Sequence, residues 1–323
     1  MPGGAGTRNL TVAGGGSHIY PLKGGRNRTE LAQMYVDIAI NCGLSASILL
    51  LGFHLLVFAL VDDLRNLMGK NLASFCTALL LEYTSTLISG QLKGTACYVN
   101  EIAAYYFIMA SAFWMLTMSF DVRQTVHSST NEMALSGSNN TGKQGKKFVF
   151  YSLWSWLMPA LLTALVFFIL PKLISDFDLD YQDFNREKCS FLETDMMYIF
   201  VTSVFGIILA VNTYFFISSV IRIYTTQSAV RRTTNNMKFK NYFQLYSRLA
   251  IIMGVTWTAE FIIYYYEFDI LCLTFKIINT FEGLFIVLAF TCRKEVLLNV
   301  KSLHIAKSLR DTTFHRYMSV RKF

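Results

Sequence analysis

Apolar residues in this chain come in long unbroken runs, not in strict alternation. A segment needs about 20 residues, at 1.5 Å rise each, to cross a hydrocarbon core roughly 30 Å thick as a helix. Seven runs reach that length. They extend from about Met34 to Val61, Asn71 to Gly90, Cys97 to Gln124, Phe148 to Leu170, Met196 to Tyr224, Gln244 to Tyr266 and Leu271 to Thr291. Runs three and five exceed what a bilayer needs and are expected to tilt or project beyond it. Within lipid every backbone polar group must be paired inside its own segment or in a closed barrel. The runs lack the period-two alternation of barrel strands. The pattern therefore predicts an all-α fold, a bundle of seven transmembrane helices over residues 34–291, with no internal repeat.

Seven is odd, so the two termini lie on opposite sides. Lys and Arg favour the cytoplasmic face and decide which side is which. With the amino terminus outside, the inner segments hold 20 of the 29 basic residues. These are Arg65, Lys70, Arg123, Lys143, Lys146, Lys147, Arg222, Arg231, Arg232, Lys238, Lys240, Arg248 and eight more after run seven. Acids gather on the opposite side. Asp176, Asp178, Asp180, Asp183, Glu187, Glu193 and Asp195 crowd the outer segment between runs four and five. The first run alone is ambiguous, because Lys23, Arg26 and Arg28 precede it while Asp62 and Asp63 follow.

Composition narrows the class. Of the 323 residues, 53% are hydrophobic and 15% charged, against about 25% charged in an average soluble domain. Mean hydropathy is +0.39. A water-soluble fold, a disordered chain and a secreted disulfide scaffold are excluded. So is a nucleic-acid binder, because the inner loops account for the +8 net charge.

Residues 1–33 read as a flexible, Gly-rich extracellular tail with two sequons, at Asn9 and Asn27. Either can accept a glycan, and either can be a chance match. Residues 292–323 read as a basic cytoplasmic tail. Val296, Leu297, Val300 and Leu303 recur at helical spacing, which suggests a short helix lying on the inner leaflet. The alternative is an unstructured basic tail held by anionic lipid. Of six cysteines, Cys97 and Cys189 occupy outer positions suited to each other and are read as a structural disulfide; two free thiols are the alternative. Cys42 and Cys76 are read as small apolar fillers.

Enzyme chemistry finds no footing. His54 is the one histidine inside a run, so a metal site lacks ligands. No nucleophile elbow and no phosphate-binding Gly-rich loop occurs. Lys276 lies near the outer end of run seven, too shallow for a Schiff-base pigment, and no cofactor is implied. The informative groups are carboxylates at membrane depth: Asp37, Glu82, Glu101, Glu260 and Glu282, with Lys276 as a candidate ion-pair partner. Ionisable groups in lipid are costly and turn inward. They form either a polar pocket or switching network, or a set of hydrogen-bonded residues that fixes packing. His54 is expected to hydrogen-bond between helices, Pro159 to kink run four, and Asn212 and Gly206 to loosen run five. Asp121-Val-Arg123 ends run three and is read as a helix end meeting headgroups; a functional charged inner end is the alternative.

Several strings occur in register with this topology. They are Leu64-Arg-Asn-Leu-Met-Gly-Lys70 between runs one and two, Phe113-Trp-Met-Leu116 in run three and Gly254-Val-Thr-Trp257 with Glu260-Phe261 in run six. Phe281-Glu-Gly-Leu-Phe285 in run seven is followed by Cys292-Arg-Lys-Glu-Val296. Together they resemble the secretin-like (family B) G-protein-coupled receptors, and within them the Methuselah-like branch. The resemblance covers roughly residues 34 to 300.

The resemblance implies a receptor that passes an extracellular signal to a heterotrimeric G-protein by a two-state helix rearrangement in the plasma membrane. Trp114, Gly254, Trp257 and Gly283 would be its switch or packing residues. Arg65, Arg123, Arg222, Arg231, Arg232, Lys238, Lys240 and Arg248 would face the G-protein. The implied partners are that G-protein, an extracellular peptide or small molecule, and membrane lipid. Departures matter. Gly69, Met118 and Phe290 stand where peptide-hormone receptors of the family carry His, Glu and Tyr. Glu282 stands where Gln is usual. No Cys precedes Cys42, so the Cys-rich ectodomain of Methuselah-like receptors is expected to be missing, by shortening or because the sequence is a fragment. A receptor-like protein that does not signal remains the alternative reading, and a transporter or channel a more distant one.

Overall fold

The computed structural model describes residues 28–131, 141–170, 172, 195–227 and 277–291. Run six and the proposed helix after run seven lie outside the described residues. The elements are α1 (Arg28–Leu60), α2 (Leu67–Ser89), α3 (Gly94–Asn131), α4 (Thr141–Ala164) and α5 (Asp195–Gln227). A closing segment, 277–291, contains the short helix Glu282–Ile286 and a π-helical turn, Val287–Thr291. Each of α1 to α5 carries a stretch long and apolar enough to cross a membrane. With 38 residues, α3 is about 57 Å long. It overshoots a bilayer, in line with the length of run three.

Local chemistry sets the boundaries. After α1 the chain makes one 3-10 turn, Asp62–Leu64. Asn66 then caps α2, its side-chain oxygen accepting the Gly69 N–H at 2.8 Å. Position 69 must be glycine, because a Cβ there would collide with the Leu64 carbonyl. Backbone approach, not side-chain chemistry, therefore fixes the residue at this position. Pro159 is buried inside α4 and removes one helical N–H. Thr163 donates back to the Pro159 carbonyl at 2.8 Å. One turn later the helix widens into a π-helical stretch, Leu165–Ile169.

The helix α3 is the hub, packing on α2, α4 and α5. The helix α1 packs on α2 and on the closing segment. Trp114 is fully buried at the centre, with Phe75, Leu79, Met109 and Met115 around the same core. Its ring stacks on Phe148 at 6.3 Å and meets Trp156 edge-on at 6.1 Å. Apolar side chains also line the outside: Leu49, Phe53, Leu56 and Leu60 on α1, and Phe150, Trp154, Leu157 and Leu161 on α4. Each set follows the i, i+4, i+7, i+11 spacing of one helix face. An apolar outer stripe is what lipid requires. It also means that helix association here rests on close packing and hydrogen bonds, not on the hydrophobic effect.

Two expectations need correction. Cys76 is the buried filler that was expected, but Cys42 is exposed on the outer side of α1. Asn212 does not loosen α5. It is buried and accepts a hydrogen bond from the Ser119 hydroxyl, so it ties α5 to α3.

Candidate functional site

Small residues bring α1 and the closing segment together. A Cβ built at Gly283 would lie 2.8 Å from the Ser47 Cβ, and one built at Gly43 would collide with the Thr280 hydroxyl. Gly43 and Ser47 are one turn apart on α1, the small-xxx-small spacing of close membrane-helix contacts. At that contact the Ser47 hydroxyl donates to the Thr280 carbonyl. Two turns on, His54 Nδ1 lies 2.8 Å from Thr291 Oγ1, the interhelical bond expected of it.

Glu282 starts the helix beside this contact and is 2% exposed. Its Oε2 accepts from the Tyr83 hydroxyl of α2 at 2.9 Å. The same hydroxyl lies 3.3 Å from the Asn279 carbonyl. A carboxyl group thus joins α2 to the closing segment, while the closing segment is locked to α1 one residue away. On the far side of α2, Asn100 of α3 donates to the Ser85 carbonyl at 3.0 Å. Polar bonds thus link the closing segment to α1 and α2, and α2 to α3.

A second polar group lies at the other end of α3. Asp121 is 6% exposed. The Tyr151 hydroxyl of α4 lies 3.0 Å from Asp121 Oδ1 and 3.2 Å from Gln124 Oε1, and its single proton serves these two acceptors. Lys147 approaches Gln124 Oε1 at 3.4 Å. Arg123 turns the other way, its Nε donating to Ser218 of α5 at 3.2 Å. Thr117 and Ser155 join α3 to α4 at 2.7 Å, further toward the centre. The headgroup reading of Asp121 is thus overturned. The helix runs on to Asn131, and the carboxyl group is enclosed between α3 and α4.

The carboxylates selected from sequence fare differently. Glu282 is buried and bonded across helices, whereas Glu82 and Glu101 are half-buried on α2 and α3. Arg65 pairs with Asp62 at 2.9 Å at the α1–α2 connection, half-exposed, and Arg222 is exposed near the end of α5. Cys97 is buried near the start of α3 and is not one of the free thiols. Its expected partner Cys189 lies outside the described residues. So do Gly254, Trp257, Glu260, Lys276, Arg231, Arg232, Lys238, Lys240, Arg248, Asn9 and Asn27. Sequence reasoning missed Tyr83, Tyr151 and Ser218. Tyr83 adjoins Glu82, but one position on a helix is a 100° turn, so picking Glu82 pointed to a different face.

Known proteins place this arrangement. Residues 33–286 match the family model described as 7 transmembrane receptor (Secretin family). G-protein coupled receptor Mth2 of Drosophila yakuba is 29% identical over 265 residues, covering 74% of this chain and 46% of its own length. Mth2 of Drosophila simulans is 28% identical over 257 residues, with the same coverage. Probable G-protein coupled receptor Mth-like 10 of Drosophila melanogaster is 28% identical over 267 residues, covering 74% of this chain and 44% of its own length. The chain spans about half the length of these relatives. It is a multi-pass membrane protein similar to the Methuselah-like receptors. With more than half its residues matched to the family model, the chain belongs to the secretin family of seven-transmembrane receptors.

Proposed function

We propose that this chain is the signalling bundle of a receptor that couples an extracellular ligand to a heterotrimeric G-protein. The amino terminus is outside, seven helices span the membrane, and a short basic helix follows on the inner leaflet. A disulfide from Cys97 to Cys189 ties the acidic outer loop to α3. Run six bends at Gly254 beneath Trp257. The inner basic residues Arg65, Arg231, Arg232, Lys238, Lys240 and Arg248 meet the G-protein.

The observation that carries the reading is the bond from Tyr83 to Glu282 at 2.9 Å, between a 2% exposed carboxyl group and a neighbouring helix. A two-state bundle needs contacts that are satisfied in one arrangement and exchanged in the other. Bonds confined to single helices cannot report a helix movement. Here the closing segment is held to both α1 and α2 through polar groups that can change partner. A ligand shifts the equilibrium only by its differential affinity for the two states.

The test is basal G-protein activation in cells expressing residues 1–323, beside the same chain fused to a Methuselah-like ectodomain. Signal from either supports the reading. Silence from both at normal surface expression overturns it. Glu82→Gln, Glu260→Gln and Glu282→Gln then test the network. If all three match the parent in expression and signalling, the carboxylates serve packing only.

A further inference from the structure

Arg123 sits in an unusual setting. Its guanidinium carbon lies 5.4 Å from the ring centroids of both Tyr214 and Phe215, and its Nε is held by Ser218. No acid pairs with it among the described residues. Its Nη atoms make no hydrogen bond among the described residues either. The nearest acid in sequence, Asp121, is two positions back. That is about 200° around the helix, where Asp121 is taken up by Tyr151 of α4.

No Arg123 atom is among the buried polar atoms left without a partner, so its Nη donors reach the surface, where an anion can meet them. The ring contacts and the Ser218 bond fix the plane of the fork, leaving its two Nη groups to receive oxygens in that plane. The surface around it is apolar and exposed: Phe120 on α3, and Tyr214, Ile217 and Ile221 on α5. Arg222 stands one turn beyond Ser218, also exposed. An occupant must therefore offer an anionic group at the end of the helices and hydrocarbon along the apolar stripe.

The geometry points to a binding site for the phosphate of an anionic phospholipid at the seam between α3 and α5, with Arg123 as its principal ligand. A soluble phosphate shares the headgroup chemistry but leaves the apolar stripe unfilled. The assignment to the cytoplasmic leaflet rests on the orientation proposed above. Binding itself does not, and is read without any signalling assay.

The experiment uses the full chain in phosphatidylcholine nanodiscs, with and without phosphatidylserine. Two readings are taken: the lipids retained, by native mass spectrometry, and the thermal midpoint. The parent is expected to enrich phosphatidylserine and to melt higher when it is present. Arg123→Gln is expected to lose both effects, and Lys146→Gln, an exposed basic residue at the start of α4, to keep them. Equal enrichment and equal midpoint shift in the parent and Arg123→Gln overturn the site. Inorganic phosphate reproducing the shift in phosphatidylcholine alone overturns the lipid assignment. If Arg123→Gln does not fold, Ser218→Ala combined with Arg222→Gln replaces it: loss of enrichment supports the site, and parent-like enrichment overturns it.

Discussion

Tyr83 and Glu282 meet at 2.9 Å across two helices that are far apart in sequence, with the carboxyl group 2% exposed. The hydroxyl supplies a donor to one carboxyl oxygen. Tyr83→Phe removes that donor and changes little else in shape. Hydrogen bonds between membrane helices contribute about 0.6–2 kcal/mol, less than burial alone suggests, because the membrane-inserted unfolded state finds other partners. The thermal midpoint of the purified Phe variant should fall accordingly. Glu282→Gln keeps an acceptor for Tyr83 and should fall less. A Phe variant that melts with the parent would show that the bond contributes nothing to stability.

The contact of Gly283 with Ser47 carries a sharper prediction. A Cβ at 283 would sit 2.9 Å from both the Cα and the carbonyl oxygen of Ser47. These are backbone atoms, so no rotamer change relieves the overlap. Gly283→Ala should cost about 1–3 kcal/mol, the usual range for overpacking, and should lower surface expression. Gly52→Ala in α1 is the matched control. Its nearest neighbour is 4.0 Å away, at the tip of Leu80, an ordinary contact. It should match or slightly exceed the parent, because Ala is the better helix former. Equal thermal midpoints for Gly283→Ala and Gly52→Ala would refute the close approach.

Run length made the helices legible. Runs one to five begin and end within a few residues of the apolar stretches found in the structure, such as Met34–Leu60 and Val201–Arg222. Rotation about each helix axis was not legible. In a soluble helix, polar residues mark the outer face. Here Leu49 faces outward and Leu51 inward, two leucines with nothing in composition to separate them. The same blindness hid Asp121, whose place near the inner end of run three reads as headgroup-facing. Its partner Tyr151 lies 30 residues on, in another run with no charged residue to mark its inner face. Glu282 was found because a carboxyl group in hydrocarbon must turn inward. No such rule names the neutral hydroxyl that meets it.

Cys42 and Cys76 test the rotation of α1 and α2 directly. Cys76 is fully buried, whereas Cys42 is an exposed thiol. Detergent-purified protein treated with a small, membrane-permeant maleimide should label Cys42 quickly and Cys76 only on unfolding. Mass spectrometry of the digest assigns the sites. Labelling of Cys76 at the rate of Cys42 in folded protein would mean that one helix is rotated from the face described.

The Asp121–Tyr151 pair is suited to a double-mutant cycle. Asp121 is 6% exposed, and Tyr151 is its bonded neighbour on α4. Tyr151→Phe removes the hydroxyl that donates to Asp121, so it should be destabilising. Asp121→Ala alone leaves the Tyr151 hydroxyl with Gln124 at 3.2 Å, so that side of the cycle should cost less through lost bonding. The double variant removes both groups at once and should be more stable than the sum of the singles predicts. Contacting pairs couple by about 0.5–3 kcal/mol. The measurement is unfolding in mixed micelles for the four proteins. Strict additivity would mean that the two side chains do not stabilise each other. The junction of α3 and α4 would then rest on Thr117 with Ser155, and on the Trp114 ring contacts.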